Sequence, residues 1–185
     1  MIAVELGVLF SLWVAFYVYW IISAIRAKRN ARSARSCTVY RVLAAVVILA
    51  LLRFVRGFRR AVLFIPKPPL PLFGLVFCAV GLLLAVWARR HLGRNWGMPM
   101  SVKEDPELVT TGPYTYVRHP IYSGILLAMV GSAMADGPLW LIFAVVVGAF
   151  FVISAWSEER VMLRQFPEEY PAYRARTKAI VPFVW

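Results

Sequence analysis

Acidic side chains are scarce in this chain: nine Asp and Glu stand against 21 Lys and Arg, a formal charge of +12 over 185 residues. Cysteine is scarcer still. Cys37 lies in a basic loop and Cys78 within an apolar run. They lack a metal-type spacing, so neither a zinc site nor a disulfide framework is expected. Internal repeats and low-complexity segments are absent too. The first apolar run has no basic n-region and no small-residue cleavage site, so it reads as a retained span and not a removed signal peptide. The positive excess does not point to nucleic acid. Lys and Arg stand at the ends of apolar runs, where they anchor a protein to anionic lipid and set its topology.

What is abundant is apolar surface: 61% of residues, with a mean hydropathy of +0.69. A soluble domain averages roughly 45–50%. The runs predict an all-α, polytopic membrane protein with about five transmembrane helices and a cytosolic C-terminal helical segment. One integral membrane domain is expected, with an N-terminal helical hairpin (1–69) and a core (70–185). Span one covers Ile2 to Ile25, long enough to cross with some tilt. A basic loop follows, from Arg26 to Arg41. Span two begins near Val39 and is strongly apolar only to Leu52. Arg53, Arg56 and Arg60 then share one helical face and can snorkel to the interface. Pro66-Lys-Pro-Pro-Leu-Pro71 cannot continue a helix and reads as the turn into span three, Leu70 to Ala88. A polar loop runs from Leu92 to Thr111. Span four covers about Pro120 to Ala135, Asp136-Gly-Pro138 is a tight turn, and span five covers about Leu139 to Trp156.

With five spans, sixteen Lys and Arg fall on one side and five on the other. The positive-inside rule then sets the N-terminus outside and the third loop and C-terminal segment in the cytosol. Gly124, Ala128 and Ser132 on span four, and Ala144 and Gly148 on span five, recur every four residues. Such small residues let helix backbones approach closely, so spans four and five are expected to form a tightly packed antiparallel hairpin.

The polar stretch Leu108-Val-Thr-Thr-Gly-Pro-Tyr-Thr-Tyr-Val-Arg-His-Pro-Ile-Tyr-Ser-Gly124 carries the chemistry, with Glu158-Glu159 at the foot of span five. Ionisable residues at membrane depth are costly and need a reason. An aromatic belt and a positive anchor account for the tyrosines and Arg118. They do not account for His119 beside Pro120, or for two adjacent glutamates at the same depth. On residues alone two readings stand: a binding pocket, or a structural ion-pair cluster of Glu158, Glu159, Arg118 and Arg160.

The order Gly112-Pro-Tyr114, Arg118-His-Pro-Ile-Tyr-Ser-Gly124, Glu158-Glu159 and Glu168-Glu-Tyr170-Pro-Ala-Tyr173 closely resembles the isoprenylcysteine carboxyl methyltransferase family. The related phospholipid N-methyltransferases share this core. The resemblance spans roughly residues 75 to 183. It implies an integral membrane methyltransferase of prokaryotic type that uses S-adenosyl-L-methionine. The cofactor pocket would be roofed by the loop and the C-terminal segment, and a lipophilic acceptor would enter from the bilayer. Pro106, Glu107, Leu108, Val109, Tyr114, His119, Pro120, Ile121, Tyr122 and Glu158 would line the cofactor site. Glu159, about 100° round the helix from Glu158, ranks below it.

The eukaryotic carboxyl methyltransferases carry an arginine one turn before this glutamate, near the substrate carboxylate, where this chain has Ser154. A hydroxyl cannot give the bidentate recognition that Arg gives a carboxylate. Ser154 and Arg118 are the candidate substrate contacts. His119 and Glu158 are the catalytic candidates, since an amine or thiol acceptor would need a base and a carboxylate would not. The acceptor stays open among an isoprenylcysteine carboxyl group, a phospholipid amine and a thiol. Two further readings are an NADPH-dependent sterol-type reductase, for which the chain has too few spans, and a non-enzymatic lipid-binding protein.

Overall fold

The structure is a computed structural model that describes residues 2–25, 69–93 and 107–181. Span two, Cys37, the Arg53/Arg56/Arg60 face and Pro106 lie outside the described residues. Five α-helices make up the described fold: α1 (Ile2–Ile25), α2 (Leu70–Leu92), α3 (Pro120–Asp136), α4 (Leu139–Gln165) and α5 (Glu169–Arg176). A short 3-10 turn, Gly112–Thr115, precedes α3. No strand occurs among the described residues. α1, α2 and α4 are each long and apolar enough to cross a membrane. α3 is shorter, 17 residues or about 25 Å.

Local chemistry sets the boundaries. Pro71 and Pro120 stand in the first turns of α2 and α3, where a missing N–H costs nothing. Gly137 ends α3 with φ 126° and donates its N–H to Ala133 O at 2.9 Å. That conformation is open to glycine and strained for other residues, so α3 and α4 are joined by a turn of two residues. α4 runs on past Trp156, where the apolar pattern ends, as far as Gln165. Glu158 and Glu159 are therefore helical.

The tight pair is not the expected one. Span three, not span five, holds span four at backbone contact. A Cβ on Gly81 would come within 2.5 Å of Gly124 O and Ala128 N, and one on Gly74 within 2.6 Å of Gly131 O. Gly74, Cys78, Gly81 and Ala85 face Gly124, Ala128, Gly131 and Ala135 in antiparallel register. Both rows alternate steps of four and three, the interval that keeps one face on its partner over many turns. Small side chains at these positions bring the two main chains together, which is how helices gain contact in lipid. Gly148, by contrast, has only Leu126 Cδ2 within reach, at 3.6 Å. α4 therefore packs on α3 through side chains. The spacing-four rule found Gly124 and Ala128 on span four but chose Ser132 over Gly131, and it named the wrong neighbour, because Gly74 and Gly81 are seven apart and escape that pattern.

α1 lies across α2 and α3. Leu9 and Phe16 are buried among Cys78, Leu82, Ala85, Ala128 and Ala135. Trp13 donates its indole N–H to Ser132 Oγ at 3.0 Å and stacks on Trp140 at 5.7 Å. At the other end, buried Arg89 donates to Ser23 O and Gly93 O, both at 2.7 Å. Trp13 meets the level of Cys78 and Ser23 that of Arg89, so α1 and α2 run parallel.

Gly131→Ala is expected to lower stability by about 2–3 kcal/mol, because the added carbon overlaps Cys78 N and cannot be relieved by a side-chain shift. Gly148→Ala should be neutral or slightly stabilising. Thermal unfolding in detergent distinguishes the two.

Candidate active site

The sequence between Thr111 and His119 is a staircase built on small and rigid residues. Gly112 has φ 61°, and a Cβ there would sit 2.7–2.8 Å from the His91 ring. His91 rests on it and bonds Thr111 Oγ1 through Nε2 at 2.7 Å. Only glycine admits both the backbone angle and the ring. Pro113 is fully buried and Tyr114 nearly so. Tyr114 donates its hydroxyl to Ala88 O at 3.4 Å, and its carbonyl accepts from Tyr173 Oη at 2.7 Å. Tyr114 thus fastens the loop both to α2 and to α5.

The C-terminal segment is laced to the same loop through main-chain atoms. Arg118 N donates to Lys178 O at 2.8 Å and His119 N to Ala179 O at 2.9 Å, a short parallel pairing. Ser123 Oγ adds a bond to Ile180 O. The guanidinium of Arg118 donates to Thr177 O and, at 3.3 Å, to Arg174 O.

The two adjacent glutamates divide their partners. Glu159, 5% exposed, accepts from Arg118 Nε at 2.7 Å on one oxygen and forms an ion pair with Arg174 Nε at 3.2 Å on the other. Glu158 accepts from Tyr122 Oη at 2.6 Å and faces His119 Nδ1 at 3.4 Å. Among the described residues no arginine pairs with it. His119 Nε2 is 3.6 Å from Glu159 Oε1, too far for a hydrogen bond. Rings continue the site inward: His119 stacks on Tyr122 at 5.3 Å, and Tyr122 on Phe151 at 4.2 Å. Tyr122 therefore reaches along two turns of α4, from Phe151 to Glu158, with Ser154 between them in the sequence.

Electrostatics follow from burial and these partners. Burial alone lowers the His119 proton affinity, but the neighbouring Glu158 and Glu159 carboxylates outweigh it and raise the net value above that of an ordinary histidine. Burial, then Tyr173 and the Glu158 charge, push the Tyr114 hydroxyl up. Tyr114 thus feels Glu158 even though no bond joins them. Tyr173 is pushed up to about 12, chiefly by burial.

The structure gathers His119, Tyr122 and Glu158 into one contact network. Pro120 and Ile121 are buried beside it, and Val109 packs with Ala88, Tyr114 and Ile121. Glu107 is exposed and Leu108 half-buried. Ser154 is fully buried, and its Oγ has no hydrogen-bond partner among the described residues. Arg118 is engaged by Glu159 and two carbonyls. The expected ion-pair cluster is corrected in its membership: Arg160 is exposed and takes no part, Arg174 takes its place, and the pairing is to Glu159 alone. Sequence reasoning missed Phe151, Arg174 and residues 177–180. Phe151 was one apolar residue in a run, and the segment after Tyr173 acts through carbonyls that every residue has.

A helical membrane protein, with a half-buried His–Tyr–Glu cluster where a motif loop, a long helix and a C-terminal segment meet, is the class these features define. A family model described as "Phospholipid methyltransferase" matches residues 70–169. The chain belongs to that family. It is 37% identical over 116 residues to "Protein-S-isoprenylcysteine O-methyltransferase B" of Arabidopsis thaliana, covering 60% of this chain and 59% of the relative. It is 30% identical over 114 residues to "Protein-S-isoprenylcysteine O-methyltransferase" of Schizosaccharomyces pombe, covering 60% and 48%. It is also 36% identical over 94 residues to "Nickel-cobalt-cadmium resistance protein NccN" of Alcaligenes xylosoxydans xylosoxydans, covering 49% and 44%. The chain thus spans roughly half of the length of these relatives. No cluster of three or more His, Cys, Asp or Glu suited to a metal occurs among the described residues.

Glu159→Gln should destabilise the protein by about 3 kcal/mol, since it leaves Arg118 buried without its counter-charge. Glu158→Gln removes no arginine partner and should cost under about 1 kcal/mol. Melting temperatures of the two variants test the division. The raised His119 value also fixes a pH dependence. Its stabilisation is fully present below the ordinary imidazole value of about 6.5 and is lost as pH rises through the higher folded value. The stability gap between the unaltered protein and His119→Gln should therefore narrow on going from neutral to alkaline pH.

Proposed function

We propose that this chain is a membrane methyltransferase that uses S-adenosyl-L-methionine and acts on a lipophilic acceptor, an isoprenylcysteine carboxyl group being the leading class. One observation carries the reading. Glu158 is a shielded carboxylate bonded to a tyrosine and facing a histidine, with no arginine on it among the described residues. A carboxylate so placed is suited to a cationic ligand, and the donor is a sulfonium. His119 Nε2 and Ser154 Oγ, buried without hydrogen-bond partners among the described residues, leave polar groups for a bound molecule. Family membership and the names of the relatives support methyl transfer. The charge asymmetry supports a cytosolic-side site with the N-terminus outside, and the reading includes a prokaryotic cell membrane and residues 70–185 as the core.

When bound, the donor supplies an electrophilic methyl group. His119, Tyr122 and Glu158 would hold it, with Pro106 to Val109, Tyr114, Pro120 and Ile121 as the surrounding wall. The protein's task is then to hold donor and acceptor in line and to exclude water. The stacked rings of Tyr122 and Phe151 serve the second part, and the tie between residues 117–119 and 178–180 serves the first. Arg118, in this reading, positions the loop through Glu159 and does not meet substrate. The Glu158 and Glu159 carboxylates make His119 hold its proton more firmly than an ordinary histidine, and a carboxylate acceptor, already ionised, would ask no base of it. One observation favours a different acceptor. Ser154 is neutral, and a phospholipid amine or a thiol needs no arginine there.

Calorimetry with S-adenosylhomocysteine on detergent-purified protein tests the donor. Binding should weaken about tenfold or more in His119→Ala and in Glu158→Gln, the loss of a charge-assisted hydrogen bond. No binding by the unaltered, folded protein would remove the reading. A labelled-methyl assay against prenylcysteine, phosphatidylethanolamine and thiol panels then separates the acceptors.

A further inference from the structure

The outward face of α4 ends in a feature that methyl transfer does not use. Ile142, Val145, Val146, Phe150, Ile153 and Trp156 are all exposed. At roughly 100° per residue they fall on one stripe of the helix. Arg160 and Arg164 continue that stripe, and both are exposed. Neither guanidinium pairs with any group among the described residues. The nearest acids are committed elsewhere: Glu158 to Tyr122 and Glu159 to Arg118 and Arg174. Glu168 and Glu169, at the start of α5, make no ion pair with either arginine.

The order along the stripe is that of a phospholipid laid against a helix. Apolar side chains come first, then an indole, then two cations one turn apart. Tryptophan favours the level where acyl chains meet headgroups, and guanidinium matches phosphate geometry. A general positive-inside bias would scatter Lys and Arg through the loops. It gives no reason for two of them to extend the lipid-facing stripe itself. We propose that this face binds one anionic glycerophospholipid of the leaflet next to the active site, its acyl chains along Ile142 to Ile153 and its headgroup phosphate on Arg160 and Arg164. Two unpaired positive charges favour an anionic headgroup over a zwitterionic one, whose own ammonium already offsets its phosphate.

The test uses the full chain in phosphatidylcholine vesicles, with one lipid at a time brominated in its upper acyl chain. The fluorescence share of Trp156 is obtained by difference from Trp156→Phe. Brominated phosphatidylglycerol should quench that share at least about twofold more than brominated phosphatidylcholine at the same mole fraction, well within the preference that two interfacial charges can give. The preference should vanish in the double variant Arg160→Gln, Arg164→Gln. Should that variant not fold, raising the salt around the unaltered protein must shrink the preference instead. Equal quenching by the two lipids in the unaltered protein would overturn the proposal, as would a preference that survives both treatments.

Discussion

Glu159 sits between two guanidiniums, Arg118 from the motif loop and Arg174 from the C-terminal helix, and that pairing decides what its neighbour is left to do. Two adjacent acids at the end of a membrane helix would repel each other and draw every nearby cation. One of them takes both arginines, and the other keeps only neutral or titratable partners. The bonded glutamate joins three segments that are remote in sequence: residues near 118, 159 and 174. Its bonds also fix where His119 stands, since Arg118 and His119 are consecutive. Removing Glu159 would release the loop and the C-terminal helix together. Removing Glu158 would change the chemistry and leave the architecture in place.

Beneath this polar end the fold faces a different constraint. Lipid tails are as apolar as the helices, so burying leucine gains little. Cohesion has to come from contact density and from a few directed bonds. The seam of Gly74, Gly81, Gly124 and Gly131 supplies the first. Trp13 on Ser132 and Arg89 on Ser23 supply the second, one at each level of α1. α4 has less of either, and most of its surface faces outward. The seam thus forms the rigid floor on which the His119 loop is set, and α4 is the more loosely held wall.

Much of this was legible in the chain. Apolar runs gave α1, α2, α3 and most of α4, and the prolines at 71 and 120 marked two starts. The motif order selected His119, Tyr122 and Glu158, and the structure joins them directly. Three things were not legible. The apolar run ended at Trp156, and although Glu158 and Glu159 were read as helical, charged residues hid that the helix keeps going to Gln165. Small-residue spacing cannot name its partner, so Gly124 and Ala128 were matched to span five when Gly81 lay against them. The choice between Arg160 and Arg174 for Glu159 depends on how a helix of eight residues folds back, and one-dimensional proximity favours the wrong arginine.

The tie between residues 117–119 and 177–180 is made at the C-terminal side almost wholly by carbonyl oxygens: those of Thr177, Lys178, Ala179 and Ile180. Carbonyls are common to all twenty amino acids. Mutation can therefore rewrite the outward side chains of this stretch while its grip on the histidine persists. The segment is a place where a lineage can change what the protein shows to the membrane surface without changing how His119 is held.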